Sequence, residues 1–268
     1  MDQGNGGIRT FFSRVPWKRG RDRGRQVGTR HIIMPSLLTS VIMKRPVLQL
    51  ALDLLDLSRA LPIAREAVRG GVDWIEAGTP LIKSEGMESV RQLHSAFPGL
   101  VIVADMKVAD TGALEVEMAA KAGASVVCIL GDADDAVIAE AVRTASIFGV
   151  RLMADLINVS DPVGRSRELE ALGVHILNAH VGIDQQMIGK SSLGLLEAIR
   201  GAVAIEIAVA GGLDAHTAPQ ASARGADIVI VGGAITRSAD VQASARKVRE
   251  ALDAPASGHI PKVSVPAE

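Results

Sequence analysis

The chain has 268 residues, of which 48% are hydrophobic and 22% charged, with a formal net charge of −1. That is enough apolar material for one sizeable core. A near-neutral balance, an aromatic content of 2% and no Tyr exclude a basic nucleic-acid groove lined with stacking rings.

Residues 1–45 come first and differ from the rest. The stretch "RVPWKRGRDRGRQVGTRH" is rich in Arg and Gly and holds one acid, Asp22. It has no apolar period and cannot bury enough surface to offset chain entropy. A disordered basic extension is expected, or a start codon set too far upstream, with Met43 as the true beginning. A targeting peptide or an arm for an acidic partner is the alternative.

Short apolar runs then recur in order: "VLQLALD" (47–53), "DWIEAG" (73–78), "VIVADMK" (101–107), "SVVCILG" (125–131), "VRLMADLI" (150–157), "VHILNAH" (174–180), "AIEIAVAGG" (204–212) and "DIVIVGG" (227–233). Each is rich in β-branched or small apolar residues and nearly uninterrupted, as a strand covered on both faces reads. None approaches the ~20 apolar residues of a membrane helix. The fourth run holds Cys128, the only cysteine, so no internal disulfide can form and a reducing cytoplasm is expected.

Between the runs lie segments of helical spacing. "LSRALPIAREAVRGG" places Leu57, Leu61, Ala64 and Val68 on one face and stops at Gly70-Gly71. "RGGVDWIE", "AKAGASVV", "EALGVHIL" and "SARGADIVI" repeat one phrase: helix end, Gly, strand. Eight such units at a period of about 26 residues predict a single (β/α)8 TIM barrel, an α/β fold, over residues 46–253. An open doubly wound sheet is the alternative, because one sequence does not give strand order. Residues 254–268 read as a flexible tail.

A barrel gathers the C-terminal ends of its strands on one face. Polar residues fall at those ends: Asp53, Glu76, Asp105, Lys107, Asp155 and His180, with Asp110 in the loop after the third strand. Asp53 or Asp110 could instead cap a helix, and a lone strand-end His is often structural. Together they suggest a site, since unpaired buried charge is costly. Strand alternation points Asp105 and Lys107 to one face. Lys107 among acids stays protonated, which suits a fixed cation for an oxyanion and not a Schiff base. Glu76 and Asp105 offer two hard oxygens for Mg²⁺. Gly211-Gly212 and Gly232-Gly233 end strands seven and eight, where barrels often cradle phosphate; tight turns would use glycine too.

"ADMKVAD" resembles the Asp-x-Lys-x-x-Asp signature of the orotidine 5′-monophosphate decarboxylase suprafamily. "LQLALDLLDL", "GGVDWIEAGTPLIKSEGM", "DTGALEVEMAAKAGA", "HVGIDQQMIGK", "AVAGG" and "ADIVIVGGAIT" resemble its 3-hexulose-6-phosphate synthase branch over about residues 46–252. The resemblance implies a Mg²⁺-dependent aldol addition of formaldehyde to ribulose 5-phosphate through an enediolate, reversible, in a homodimer with shared active sites. It implies Glu76 and Asp105 as metal ligands, Lys107 as support for the enediolate charge, and His180 as acid and base. It implies Asp53 and Asp110 on substrate hydroxyls, Asp110 reaching into the neighbour's site, and the two glycine pairs on phosphate. No nucleic acid and no membrane is implied as a partner. Two departures stand out. Val108-Ala109 replace the usual middle pair of the signature, and Gly233 stands where some relatives carry Arg, with Arg237 four residues on. A decarboxylase of 3-keto-L-gulonate 6-phosphate and a catalytically silent phosphate-binding barrel are the competing expectations.

Overall fold

The computed structural model describes residues 45–189 and 191–254. The expectations for the N-terminal extension before Arg45 and for the tail beyond Ala254 lie outside the described residues. Arg45 itself is tied to Asp73 (3.3 Å) and Asp253 (3.0 Å).

Eight parallel strands close into a barrel in the order β1-β2-β3-β4-β5-β6-β7-β8. They are β1 (Val47–Leu52), β2 (Trp74–Ala77), β3 (Val101–Val108), β4 (Val126–Leu130), β5 (Arg151–Asp155), β6 (Ile176–His180), β7 (Glu206–Ala210) and β8 (Ile228–Val231). β1 pairs with both β2 and β8, so the open sheet is excluded. Each strand lies inside its predicted apolar run except β3, which runs one residue further, to Val108.

The helices are α1 (Leu57–Arg69), α2 (Thr79–Glu85), α3 (Glu88–Ala96), α4 (Gly112–Lys121), α5 (Asp135–Phe148) and α6 (Pro162–Ala171). α7 (Ile183–Met187), α8 (Ser192–Arg200), α9 (Ala218–Ala223), α10 (Gly233–Thr236) and α11 (Val241–Asp253) follow. One helix per strand was expected. The second, sixth and eighth units each carry a further short helix. Between α2 and α3 the cause is local: Gly86 sits at φ 64°, which ends one helix before the next begins.

The two faces of the sheet explain the uninterrupted apolar runs. Outward residues such as Leu48, Leu50, Leu52, Ile75 and Ile102 pack under the helices. Inward residues such as Val103, Val126, Met153, Ile176, Ala208 and Ile228 fill the barrel. Because the strands tilt, each interior level draws on alternate strands. Arg151 and Glu206 form an ion pair at the N-terminal end. The interior turns polar again near the C-terminal end, with Glu76, Asn178, Asp105 and Asp155 all buried.

Helix ends follow their sequence signals. Asp56, Asp134, Asp161, Ser191 and Asp240 accept N-cap hydrogen bonds for α1, α5, α6, α8 and α11. Neither alternative capping role holds: α1 is capped by Asp56 and not Asp53, and the N-cap of α4 is Thr111 and not Asp110.

The buried guanidinium of Arg249 on α11 closes the barrel at its seam. It donates to the Pro46 carbonyl (2.9 Å) and Asp73 (3.0 Å), and pairs with Asp253 (2.6 Å). Asp73 in turn accepts the N–H of Leu48 at 2.9 Å. Arg249→Met leaves Asp73 and Asp253 with the exposed Arg45 alone and takes the donor from the Pro46 carbonyl. A loss of about 2 to 3 kcal/mol is expected, read calorimetrically as a fall of roughly 4–12 °C in melting temperature. An unchanged melting temperature would show the latch to be dispensable.

Candidate active site

The site is built where the apolar strands end. β3 carries two of its groups, and its backbone is irregular there. Register shifts between Ala104 and Val108. Among the described residues only Lys107 and Thr111, both at φ 47°, are non-glycine residues with positive φ. Lys107 belongs to the signature, and Thr111 directly follows its last residue, Asp110. Such positions cost about 1–3 kcal/mol each and persist where the surroundings force them. Lys107 was expected to join Asp105 by plain strand alternation. The two do meet, but a bulge with a left-handed Lys107 brings them together.

A chain of charged hydrogen bonds results. Lys107 Nζ lies 3.0 Å from Asp105 Oδ2 and 2.8 Å from Asp155 Oδ2. The same Asp155 oxygen lies 2.8 Å from His180 Nδ1, while Asp155 Oδ1 accepts the N–H of Ile157 at 3.0 Å. Burial works against a charged Lys107, but the Asp105 and Asp155 carboxylates outweigh it and raise its pKa, so it is an ammonium. Burial also opposes the Asp155 carboxylate. Hydrogen bonding and charge from His180, then Lys107, prevail and lower its pKa. With Asp155 accepting at Nδ1, His180 carries its proton there and leaves Nε2 as the free acceptor. Asp155 was noted at its strand end but not assigned to the site; its spacing of two from Met153 on an inward face was the available signal.

Glu76 and Asp105 sit on neighbouring strands. Thr79 Oγ1 donates to Asp105 Oδ2 at 2.7 Å. Gln49 Nε2 donates to Glu76 Oε2 at 2.6 Å. Burial, then the charges of Asp105 and Asp53, push the pKa of Glu76 well up. Asp53, at the open mouth, is raised too, by loss of hydration and then by Asp105. Cys128 is buried; desolvation and then Asp105 and Glu76 push its thiol pKa up, so it stays neutral.

Four carboxyls thus surround one ammonium, and burial leaves the surplus negative charge poorly solvated. A divalent cation fits this imbalance. Among the described residues no three His, Cys, Asp or Glu side chains form a ready-made ligand set. Glu76 and Asp105 are the pair that could offer oxygens to a Mg²⁺, an ion that takes one or two carboxylates and completes its shell with substrate and water.

The glycine pairs flank the same mouth. Gly211 and Gly212 have φ of 113° and 69°, and a Cβ on Gly211 would strike the Val181 carbonyl. Gly232 lies near Asp53, and a Cβ on Gly233 would overlap the guanidinium of Arg237. Arg237 therefore folds back over the position where an Arg was missing, a placement that its distance of four residues in sequence had hidden. A cavity of about 300 Å³ flanks His180, lined by Leu156, Ile157, Val159 and Val181 among others.

Asp110 lies outside this network. It is exposed, accepts the N–H of Thr111 at 2.7 Å, and lines a groove of about 400 Å³ with Leu114, Ala136 and Val137. Among the described residues no helix is long and apolar enough to cross a membrane.

Residues 46–248 match the Orotidine 5′-phosphate decarboxylase / HUMPS family. The chain is 39% identical to the 3-hexulose-6-phosphate synthase of Bacillus subtilis, over 76% of this chain and 98% of that one. It is 40% identical to the enzyme of the same name from Mycobacterium gastri, over 76% and 99%. The crystal structure of 3-hexulose-6-phosphate synthase from Salmonella typhimurium superposes with a TM-score of 0.74 at 37% identity, over 77% and 98%. With matched residues covering every strand of the barrel, the chain belongs to the Orotidine 5′-phosphate decarboxylase / HUMPS family.

Proposed function

We propose that the chain is a 3-hexulose-6-phosphate synthase, a carbon–carbon lyase that joins formaldehyde to C1 of ribulose 5-phosphate and also runs in reverse. The observation that carries this reading is the Lys107–Asp155–His180 chain beside the buried pair Glu76 and Asp105, in a sequence whose relatives share that name.

A C–H next to a carbonyl is weakly acidic, so its removal needs a base and a fixed positive field. His180 Nε2 takes the C1 proton, and Asp155 steadies the imidazolium through Nδ1. Lys107 faces the negative charge that develops on the substrate oxygens. C1 then bonds to the formaldehyde carbon, and His180 returns its proton to the former aldehyde oxygen. Glu76 and Asp105 would hold Mg²⁺, which supplies Lewis-acid stabilisation of the same oxygens when bound. The cavity beside His180, lined by Ser160, Gln185 and Ser191 as well as Leu156, Ile157 and Val181, gives formaldehyde a place next to the base. Asp53 binds a substrate hydroxyl at the mouth.

The phosphate is held by Gly211-Gly212 and Gly232-Gly233, with Arg237 as its side-chain partner. Arg237→Ala should raise KM for ribulose 5-phosphate about tenfold, near 1.4 kcal/mol, with kcat little changed. Steady-state kinetics checks this, and an unchanged KM would leave the phosphate to backbone N–H groups alone.

The working form in this reading is a homodimer. The apolar groove beside Asp110 and the 57% exposed Leu114 support a partner there, through which Asp110 reaches a substrate hydroxyl of the neighbouring site. A cytoplasmic setting is part of the same reading. The family description also includes decarboxylation, and a 3-keto sugar-acid phosphate could give a similar enediolate. Assaying the purified chain with ribulose 5-phosphate, formaldehyde and Mg²⁺ tests the proposal. Formaldehyde consumption supports it; CO₂ release from the keto acid, without formaldehyde turnover, favours the decarboxylase.

A further inference from the structure

We infer that Gln49 is a positioning residue for the metal site: its amide fixes Glu76 as an acceptor for the cation. The inference rests on the reading that Glu76 and Asp105 hold a divalent metal.

Gln49 is an anomaly in β1. It lies between Leu48 and Leu50 on a strand of apolar residues, points into the barrel, and is fully buried. Its Nε2 donates to Glu76 Oε2 at 2.6 Å. Its own Oε1 has no hydrogen-bond partner among the described residues. A buried amide with one satisfied end is costly, so something must dictate its orientation. With Glu76 ionised, as a metal ligand is, rotating the amide would bring Oε1 against Glu76 Oε2, acceptor to acceptor. The carboxylate therefore sets the amide, and the amide in turn sets the carboxylate. One oxygen of Glu76 is pinned from below, and the group is held for a cation on its open side. Donors of this kind behind a ligating carboxylate typically change metal affinity 10–100-fold when lost. An apolar residue at position 49 would fill the barrel without an unsatisfied carbonyl, so packing alone does not account for glutamine.

The test titrates metal-free full-length chain with Mn²⁺, reading free Mn²⁺ by electron paramagnetic resonance, alongside melting temperature in EDTA. Gln49→Leu removes the donor. Gln49→Asn keeps an amide but draws it back from Glu76, and serves if the Leu variant does not fold. The expected result is a Mn²⁺ dissociation constant raised 10–100-fold, with the metal-free chain melting within a few degrees of wild type. Wild-type affinity in either folded variant would overturn the role of Gln49 and leave the metal site standing. A loss of affinity matched by a large fall in metal-free melting temperature would overturn it in favour of a packing role. A wild-type chain that binds no Mn²⁺ would overturn the metal reading itself, and this inference with it.

Discussion

Lys107→Ala is expected to lower turnover of ribulose 5-phosphate and formaldehyde by at least about a thousandfold, with the barrel still folded. Removing one preorganised donor from an oxyanion site commonly costs 10²–10³ in rate (about 2.7–4 kcal/mol), and a buried full charge should cost more. Lys107 is held for this task at a price in backbone strain, with its φ of 47° in the bulge of β3. Two carboxylates grip its ammonium within 3.0 Å. Its loss leaves Asp155 with one cationic neighbour fewer and the developing enediolate without a fixed counter-charge. The closed barrel should persist at reduced stability, because alanine keeps a Cβ at the left-handed position and Asp105 and Asp155 lose their shared ammonium. Circular dichroism and steady-state kinetics on the same preparation check this, and near-normal kcat would remove Lys107 from the chemistry.

The second large effect is expected at Asp155. Asp155→Asn should reduce kcat about 10²–10⁴-fold. Asp155 is 1% exposed at its side chain and uses Oδ2 for both Lys107 and His180, and Oδ1 for the N–H of Ile157. Asparagine cannot reproduce that pattern. With its oxygen toward Lys107 and His180, its NH₂ meets the Ile157 N–H, donor against donor. Flipped, its NH₂ faces both the ammonium and Nδ1, which drives the imidazole proton to Nε2 and removes the free base. The neutral amide also no longer offsets the imidazolium or Lys107. A pH–rate profile separates this from general damage. The profile of the variant should change shape, whereas a small loss on an unchanged profile would deny Asp155 its positioning role.

Most of the fold was legible because the physics was redundant. A strand buried on both faces has little choice but to be apolar throughout, and all eight runs gave strands, seven within their bounds and β3 one residue beyond. The further short helices, α7 and α10 among them, were not legible. Segments of four or five residues have no period of their own, and tertiary packing sets them. Closure of the barrel was expected from eight equal units but is settled only by the pairing of β1 with β8.

The site was legible in part and for partly different reasons. Polar residues at strand ends marked Glu76, Asp105, Lys107 and His180, and the structure brings them to one mouth. Alternation alone did not reveal the bulge at Lys107, since no residue type announces a left-handed lysine. Gln49 was passed over because one polar residue in an apolar run reads as noise until its partner is known. Thr79 was hidden because its partner, Asp105, lies on the next strand. Asp110 belongs to the signature but lies outside the network of its own chain, so its proposed role depends on a second copy.

The most direct measurement of the central claim follows the C1 proton of ribulose 5-phosphate in D₂O, by NMR, with no formaldehyde present. A metal and an ammonium that together stabilise an enediolate predict deuterium at C1 with the wild-type chain and Mg²⁺. They predict that exchange stops on chelation, returns when Mg²⁺ is restored, and is lost in Lys107→Ala. Exchange that continues unchanged in EDTA, or formaldehyde addition without any C1 exchange, would contradict the account.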